Sequence, residues 1–443
     1  MEAAALLRDP ERMKGVLREH LPGLARGHLV VEGCEIVHAR YRTSDEDRRR
    51  GRPFLSICYE LSVRDTGTRT KDQQVVHVRA YTNGRSRRRF EAAGDASLHL
   101  PELDAVLWAF PNDPRLAHLP DVIDPGAVRR HLPYDRLPPG FQSPADVDEV
   151  NVQVVRYKPE VRCTTRYRLR GGPAGAQRTL TLYGKTFRHD GAGEIARRME
   201  TLRAQLAGDP RGFIVPRPLG CDPSVKTVWQ EGLPGTPLND VIDAGNHRQL
   251  MDATARGLAG LHGVALEGLA RTSLVDRLRA VRAETALLSQ AFPASRARLR
   301  SVTSRVEKDA PLLAPGREGL VHGDFLLKQL VLSEGRLGVF DLDNLSVGDP
   351  IQDLANFIVD ETRNLHHPRR DPRLVPSMVA TFLDSYRSHT DWEVSAERLR
   401  WHARVQLLRD AYYWHKRKHL MPGFEDELQR MLDVAEDPPT DVD

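Results

Sequence analysis

The stretch that most constrains this chain is Leu320-Val-His-Gly-Asp-Phe-Leu-Leu-Lys-Gln329, with a second apolar run that leads into Asp341. An apolar strand delivers a His-Gly-Asp turn, and Gln329 stands five positions after Asp324. Three side chains with hard oxygen atoms therefore follow directly behind two β-like runs. Such an order favours two neighbouring turns that present their polar groups together.

These oxygen-bearing side chains suit phosphoryl transfer. A carboxylate at Asp324 can accept the proton of an attacking hydroxyl, while the Gln329 amide oxygen and the Asp341 carboxylate can hold Mg²⁺ against nucleotide phosphates. The structural alternative is that they are ordinary turn residues between two strands, and for any one of them alone that is the better interpretation. Their occurrence together in this order favours the site.

The stretch resembles the catalytic and metal-binding segments of the aminoglycoside phosphotransferase family, a branch of the protein-kinase-like fold. The family pattern is His-Gly-Asp, four residues, Asn, and then a strand that ends in Asp. The resemblance implies that Asp324 is the catalytic base, that His322 supports the loop, and that Gln329 and Asp341 are metal ligands. Asp343 is either a further group of the metal shell or a turn cap.

Gln329 departs from the commoner pattern, which has Asn at this place. Gln is also met there in the maltokinase-like and glucosamine-kinase-like sugar kinases of the same superfamily. It keeps the amide oxygen that ligates the metal and adds one methylene group. Further on, Asp353 stands where the family has a buried acid that stabilises the catalytic loop.

The resemblance extends over roughly residues 150 to 425 and implies a nucleotide site. Lys185 lies inside an apolar strand, where an ammonium group needs an anion, so it corresponds to the lysine that holds the α- and β-phosphates of ATP. The helix from about Gly193 to Leu206 offers Glu200 as its partner, with Glu194 as the reserve. A solvated position on an amphipathic helix is the alternative for either glutamate.

Two other segments complete the implied nucleotide site. The turn after Tyr157 has no glycine, so Lys158 and Arg162 either contact phosphates with their side chains or form an exposed basic hairpin turn. Backbone groups at the hinge of the family bind the adenine edge. By position in the motif order, the hinge residues are Gln230, Glu231 and Gly232.

Net charge, hydropathy and cysteine spacing limit which partners and which compartment can be expected. The 443 residues carry a net charge of +4, which is less basic than a nucleic-acid-binding protein usually is. The opening segment is too short and charged for a signal peptide, and no apolar run approaches a membrane span. Four cysteines without metal-ligand spacing indicate buried thiols in a reducing compartment. We expect a cytoplasmic protein that binds neither nucleic acid nor membrane.

The N-terminal region has β-like alternation after two short helices within residues 2 to 20. It matches residues 152 to 191 in the order of its features, and we hypothesise that it is a diverged, non-catalytic copy of the three-stranded sheet there. Similar β composition is the alternative, and a different strand order would exclude duplication. The matched positions are Arg40-Tyr41 with Arg156-Tyr157, Cys58 with Cys163, and Arg79, Tyr81 and Gly84 with Lys185, Phe187 and Gly191.

Basic runs and prolines mark the loops of this half. Arg48–Arg50 and Arg87–Arg89 could bind an anion, although a solvated loop or helix face is favoured. Proline density over residues 101 to 145 predicts few regular elements apart from a short helix from Pro125 to His131. We therefore expect an accessory β-rich domain over 1–100, a linker over 101–150, a kinase small lobe over 151–232 and a helical large lobe over 233–443.

Together these patterns predict an α+β, bilobal protein-kinase-like fold with an extra N-terminal β-rich domain. The predicted activity is Mg²⁺- and ATP-dependent transfer of the γ-phosphate to a hydroxyl of a small molecule, a sugar, amino sugar or related metabolite. The segment Arg409–His419 interleaves aromatic and cationic residues, which fits a sugar or an anionic acceptor, or else a core helix. A catalytically silent scaffold of the same fold is the alternative function.

Overall fold

The computed structural model describes residues 2–42, 54–94, 97–172, 177–209, 212–313, 316–363, 371–418 and 423–438. The basic run Arg48–Arg50 lies outside these ranges. None of the helices within them combines the length and the apolar character needed to cross a membrane. Two compact units are present, and the first comprises Met1–Gly193, Gly220–Trp229 and Trp414–Phe424. The second comprises Glu194–Leu219, Gln230–Tyr413 and Glu425–Asp443.

The first unit opens with short helices that cover an antiparallel sheet. Asp9 begins the second helix by accepting hydrogen bonds from the amides of Glu11 and Arg12, and Met13 and Leu17 are buried in the core of the sheet. The helices are α1 (Glu2–Leu7), α2 (Pro10–His20), α3 (Pro22–Ala25) and α4 (Arg85–Ala93). The strands are β1 (Leu29–Arg42), β2 (Phe54–Asp65), β3 (Lys71–Ala80), β4 (Leu98–Leu100) and β5 (Ala105–Ala109).

A second antiparallel sheet follows in the same chain order. Its strands are β6 (Val147–Lys158), β7 (Arg162–Gly171), β8 (Arg178–Phe187), β9 (Pro218–Asp222) and β10 (Thr227–Glu231). The helix α5 (Leu119–Ile123) precedes it, and α6 (Ala192–Leu206) lies between β8 and β9 in the chain. Of the four cysteines, Cys34, Cys58 and Cys163 are buried and Cys221 is half-buried, and all are free thiols.

Both sheets have five strands in the same spatial order. The first is β1-β2-β3-β5-β4 and the second is β6-β7-β8-β10-β9, and in each a helix joins the third strand to the fourth. The segment expected to be a linker therefore contains β5, because its apolar residues pair with β3. The helix expected from Pro125 to His131 is also absent there: α5 ends at Ile123, and a 3₁₀ turn spans Val128–Arg130.

The second unit is mainly helical. The helices that follow the second sheet in the chain are α7 (Leu238–Val241), α8 (His247–His262), α9 (Leu274–Ala291), α10 (Arg296–Asp309), α11 (Ile351–Arg363), α12 (Val375–Ser388), α13 (Ala396–Lys418) and α14 (Phe424–Glu436). Short strands hold the loops of interest: β11 (Thr236–Pro237), β12 (Gly319–Val321), β13 (Leu330–Ser333), β14 (Arg336–Val339) and β15 (Ser346–Gly348). The periodic apolar face of α8 is buried, as at Leu250, Leu258 and Leu261.

Candidate active site

Two strand pairs deliver the predicted catalytic residues to one place in the second unit. β12 pairs with β15 and ends immediately before His322, while β13 and β14 form a hairpin. The amide of Phe340 donates to the carbonyl of Gln329 at 2.9 Å, so the chain reaches Asp341 directly beside Gln329. Gly323 has φ +78° and a Cβ there would lie 2.8 Å from the carbonyl oxygen of Asn344, so this turn requires glycine.

The turn is held by one buried carboxylate. Asp353, near the start of α11, is fully buried and accepts the backbone N–H of His322 at 2.6 Å and that of Gly323 at 2.9 Å. His262 contacts the same carboxylate at 3.2 Å and Tyr386 Oη at 2.6 Å. Burial opposes ionisation, but these hydrogen bonds keep the pKa of Asp353 below its usual value. Asp353 is thus a buried acid that holds the turn before Asp324, as its position in the sequence indicated.

His322 links the two turns. Its Nε2 lies 2.9 Å from the carbonyl oxygen of Phe340, and since a carbonyl only accepts, Nε2 carries the proton. Nδ1 then accepts the backbone N–H of Asp324 at 3.4 Å. The imidazole is fully buried. His322 therefore connects the two turns, and neither of its ring nitrogens is exposed.

Asp324 is half-buried at the end of this turn. Burial raises the pKa of its carboxyl group, the charge of Lys328 lowers it, and the charges of Asp341 and Asp360 raise it. The amide nitrogen of Gln329 lies 3.5 Å from Oδ2 of Asp324. Asp324, Gln329 and Asp341 are therefore close enough to interact, which is the arrangement that the spacing of the motif predicted. Lys328 and Asp360 are additional charges that sequence reasoning did not assign.

The residue after Asp324 anchors the turn in the core. Phe325 is fully buried, with ring centroids 6.0 Å from Phe213 and 6.4 Å from Phe357. Phe357 lies on α11, the helix that also carries Asp353. The backbone of Asp324 is therefore fixed on one side by apolar packing and on the other by hydrogen bonds through His322.

The donor set fits a divalent metal ion of the Mg²⁺ type. Gln329 and Asp341 offer an amide oxygen and a carboxylate on adjacent backbone segments, and the charge of Asp341 raises the pKa of Asp324, so the two carboxylates lie within electrostatic reach of each other. Within the described ranges, His, Cys, Asp and Glu side chains do not form a group of three that could hold a metal by themselves. Mg²⁺ does not require one, because it keeps several waters and binds substrate phosphates.

A second buried ionic cluster is centred on Asp349, four residues before Asp353 in the chain. Asp349 accepts hydrogen bonds from Arg398 and, at 2.8 Å, from Nε2 of His402. Burial alone would raise the pKa of Asp349, but these partners lower it to about 2. Asp349 also precedes α11 and accepts a hydrogen bond from the amide of Ile351 at 3.1 Å. Nothing in the local sequence pointed to its partners on α13.

Two further carboxylates are electrostatically coupled to Asp324. Burial raises the pKa of Asp410 to about 6; Arg363 lowers it, while Asp360 and Asp324 raise it. Arg363 donates to Asp410 at 2.7 Å. The part of α13 in which aromatic and cationic residues alternate therefore also contributes an acid, Asp410, near Asp324. The sequence signal for Asp410 is its position four residues after Gln406, which places both side chains on one helix face. Gln406 donates a hydrogen bond to Asp410 at 2.9 Å.

The residues predicted to bind the nucleotide are divided between the units. Lys158, Arg162 and Lys185 are half-buried in the second sheet of the first unit, where Lys185 faces Thr164 in the β7–β8 register. Glu200 is exposed on α6, and Glu194 pairs with Arg198 on the same helix. The pairing of Lys185 with Glu200 stays a prediction.

The predicted hinge lies where the chain passes from one unit to the other, between Trp229 and Gln230. The side chain of Glu231 pairs with Arg217 at 3.1 Å, and its backbone N–H donates to the carbonyl of Arg217 at 2.9 Å. Gln230 and Gly232 are half-buried. Asp343 is half-buried in the 3₁₀ turn after Asp341, which itself has φ +57°. The role of Asp343 stays a prediction.

Comparison with solved structures finds similar chains. An aminoglycoside-3'-phosphotransferase of type VIII is 23% identical, with 59% of this chain and 93% of that chain covered and a TM-score of 0.41. A spectinomycin phosphotransferase solved with ADP and spectinomycin is 12% identical over 67% of this chain and 94% of that chain, with a TM-score of 0.46. A choline kinase from Streptococcus pneumoniae is 16% identical over 65% and 93%, with a TM-score of 0.43.

No curated protein sequence matches the chain. The family model described as "Phosphotransferase enzyme family" matches residues 165–402, which is more than half of the 443 residues and includes the whole catalytic stretch. The fold is accordingly α+β and protein-kinase-like, with an additional N-terminal β-rich region. The chain belongs to the phosphotransferase enzyme family, and it is an ATP- and divalent-metal-dependent kinase of a small molecule.

Proposed function

We propose that the chain transfers the γ-phosphate of ATP to a hydroxyl group of an amino sugar, with Asp324 as the catalytic base. The observation that carries the proposal is the fixed turn of Asp324: Asp353 holds its two preceding amides and His322 ties it to the segment of Asp341. A carboxylate fixed in this way can accept a proton at a defined point, which is what positioning of an acceptor hydroxyl requires.

The half-buried carboxyl group of Asp324 performs the proton step. As the acceptor oxygen bonds to the γ-phosphorus and the bond from phosphorus to the bridging oxygen of ADP breaks, the hydroxyl proton passes to Asp324. Gln329 and Asp341 would hold the divalent metal, which neutralises phosphate charge, with Asp343 as a further group of its shell. Lys185, Lys158 and Arg162 supply cations for the phosphates, and Glu200 would orient Lys185.

Carboxylates near Asp324 support an amino sugar over a neutral or anionic one. The charges of Asp324 and Asp360 both raise the pKa of Asp410, so these acids lie within electrostatic reach of one another. An ammonium group on the acceptor would lower their mutual repulsion, whereas an anionic acceptor would increase it. This favours the amino sugar over the anionic acceptor that the composition of α13 suggested.

The test is turnover by the full chain with MgATP on a panel of glucosamine, glucose, glucose 1-phosphate, choline and ethanolamine, with the product identified by mass spectrometry. We expect glucosamine-type acceptors to have the highest kcat/KM, and Asp324→Asn to lower kcat by about 10²- to 10⁴-fold. Asp384→Asn, which removes an exposed acid paired with Arg387, is the matched control and should leave kcat unchanged. Undiminished turnover by Asp324→Asn would refute the proposal.

The acceptor class has its own comparison. Asp360→Asn should raise KM for glucosamine about tenfold and change KM for glucose little, because only the amine interacts with the lost charge. An equal change for both sugars would mean that Asp360 supports the fold and does not recognise the amine. Preference for glucose 1-phosphate in the wild-type protein would contradict the amino-sugar assignment outright.

A further inference from the structure

An ion pair connects the N-terminal sheet to the turn between β6 and β7. Nη1 of Arg79, on β3, lies 2.6 Å from Oε1 of Glu160, and these side chains are only 12% and 13% exposed. The guanidinium also lies over the ring of Phe54, 3.9 Å from its centroid. Arg115 approaches the same carboxylate at 3.7 Å. A buried pair with this geometry orders the groups that carry it far more than a surface pair does.

The backbone of the same turn is held by a second buried acid. Asp113 is 1% exposed, and its Oδ2 accepts the backbone N–H of Glu160 at 2.6 Å and the hydroxyl of Tyr157 at 2.7 Å. Nε1 of Trp108 in turn lies 3.3 Å from the Tyr157 hydroxyl. Glu160 has φ +60°, a conformation that a non-glycine residue keeps only when its surroundings impose it.

Arg79 stands at the register position of Lys185. Across the first three strands, Arg40 pairs with Ser56 and Ser56 with Arg79. In the second sheet the corresponding row is Arg156, Thr164 and Lys185. The two rows were matched in sequence by their cations, and the strand pairings now place them at equivalent positions.

Independent details extend the correspondence between the sheets. Tyr59 and Tyr167 are both fully buried on the second strand of their sheet, and each hydroxyl donates to a carbonyl of a helix that precedes the sheet, Leu7 and Val122 respectively. In each sheet a 3₁₀ turn between the fourth and fifth strands ends in a left-handed residue, Asp104 or Lys226. The carbonyls of these two residues accept the amides of Tyr81 and Phe187 at 2.8 and 3.0 Å.

We infer that the N-terminal sheet is a second copy of the nucleotide-lobe sheet, and that its Arg79 binds the Glu160 carboxylate in place of a phosphate and so positions the β6–β7 turn for ATP. Arg79 is a positioning residue: it touches Glu160, and Glu160 lies between Lys158 and Arg162. The inference rests on the proposed function in that those two cations serve the phosphates. We call the ion pair of Arg79 and Glu160 the clamp. Because the β6–β7 turn has no glycine, the clamp gives it the fixed shape that phosphate binding needs.

The ion pair with Arg79 also favours the ionised form of the Glu160 carboxyl group. Burial raises the pKa of Glu160, and the charges of Arg79 and Arg115 lower it. Loss of Arg79 therefore leaves a buried carboxylate that favours protonation or escape to solvent. Either response would move the turn, because the side chain and the backbone N–H of Glu160 are both held by the residues of the first sheet and its following segment.

The test compares full-length variants by amide hydrogen exchange and by steady-state kinetics. Arg79→Met and Glu160→Gln should each speed exchange at residues 157–162 and raise KM for ATP about tenfold, with kcat and the acceptor KM changed less than about threefold. The exchanged pair Arg79→Glu with Glu160→Arg should restore most of both values. Arg64→Met is the matched control, since Arg64 pairs with Glu32 at 2.7 Å in the same sheet but is 39% exposed.

Failure of the clamp and failure of the proposed function give different results. Unchanged exchange at 157–162, or equal effects on the KM of ATP and of the acceptor, would overturn the clamp even in an active kinase. If the wild-type chain turned over no acceptor, MgAMP-PNP affinity measured by calorimetry would replace KM, and a tenfold loss in Arg79→Met with faster exchange would keep the clamp. An Arg64→Met variant as weak as Arg79→Met would assign the loss to general destabilisation and overturn it.

Discussion

The backbone N–H of His322 donates a 2.6 Å hydrogen bond to Oδ2 of Asp353, which lies 31 positions further along the chain. The same carboxylate accepts the N–H of Gly323 through its other oxygen. One side chain on α11 thus determines the path of the turn that ends at Asp324. The geometry of the site depends on a long-range contact between a loop and a helix.

Two replacements of Asp353 should therefore distinguish its effect on the position of the Asp324 turn from its effect on the stability of the protein. Asp353→Asn keeps one accepting oxygen but points an NH₂ group at an amide, so we expect kcat to fall about 10²-fold because the turn is displaced. Asp353→Ala should in addition lower the free energy of unfolding by about 3 kcal/mol, since His262 and two buried amides lose their acceptor. Kinetics and urea denaturation measure the two effects. An Asp353→Asn variant with wild-type kcat would show that Asp324 needs no such support.

Asp324 should give the enzyme an acidic limb in its pH profile. Burial raises the pKa of this carboxyl group and Lys328 opposes the rise, so kcat/KM should fall with unit slope below the raised pKa, and Lys328→Met should move the limb to higher pH. Lys308→Met, an exposed lysine on α10, is the control and should not move it. A limb that stays in place in Lys328→Met would remove Lys328 from the electrostatics of the site.

The same shift makes a stability prediction with a defined sign. A carboxyl group whose pKa is higher in the folded than in the unfolded state binds its proton more tightly when folded, so ionised Asp324 destabilises the fold above that pKa. Asp324→Asn should accordingly raise the Tm at pH 7 while it lowers kcat, and the gain in Tm should vanish at pH 3. A lower Tm at pH 7 would contradict the sign.

Asp349 should behave in the opposite way. Its partners lower its pKa to about 2, so it contributes stability above pH 4 that is lost as the pH falls towards 2. The contribution is about 2 kcal/mol. Burial lowers the pKa of His402 to about 4, so acid acts on both partners in the same direction. Urea denaturation between pH 2.5 and 7 should show that Asp349→Asn is less stable at pH 7 and has a flatter acid limb.

Gln329 offers a direct test of metal binding. Gln329→Leu removes the amide oxygen at nearly constant volume, so the Mg²⁺ concentration that gives half-maximal activity should rise about 10- to 100-fold. Gln329→Asn restores the residue usual in the family and should need far less additional Mg²⁺ than the Leu variant. Equal Mg²⁺ dependence in all three proteins would exclude Gln329 from the metal shell.

Local sequence was sufficient for much of the site and of the fold class. The order of strand, His-Gly-Asp, Gln and Asp predicted that Asp324, Gln329 and Asp341 would lie together, because adjacent strand ends leave little freedom in where short turns go. The helical character of residues 233–443 was likewise predicted from the sequence. The match of Arg40 and Arg79 with Arg156 and Lys185 was also visible as a pattern, although a pattern alone could not distinguish duplication from similar composition.

Long-range partners were decided only in three dimensions. Nothing near His262 or Tyr386 in the sequence marks them as partners of Asp353, and the same holds for Asp113 and Glu160 in the first unit. The strand β5 was hidden because prolines around it suggested a linker, while its pairing with β3 outweighs local propensity. The sequence by itself determined which chemistry the turns can perform. Tertiary structure decided which buried charges hold those turns, because a buried charge is stable only beside a partner that distant segments bring to it.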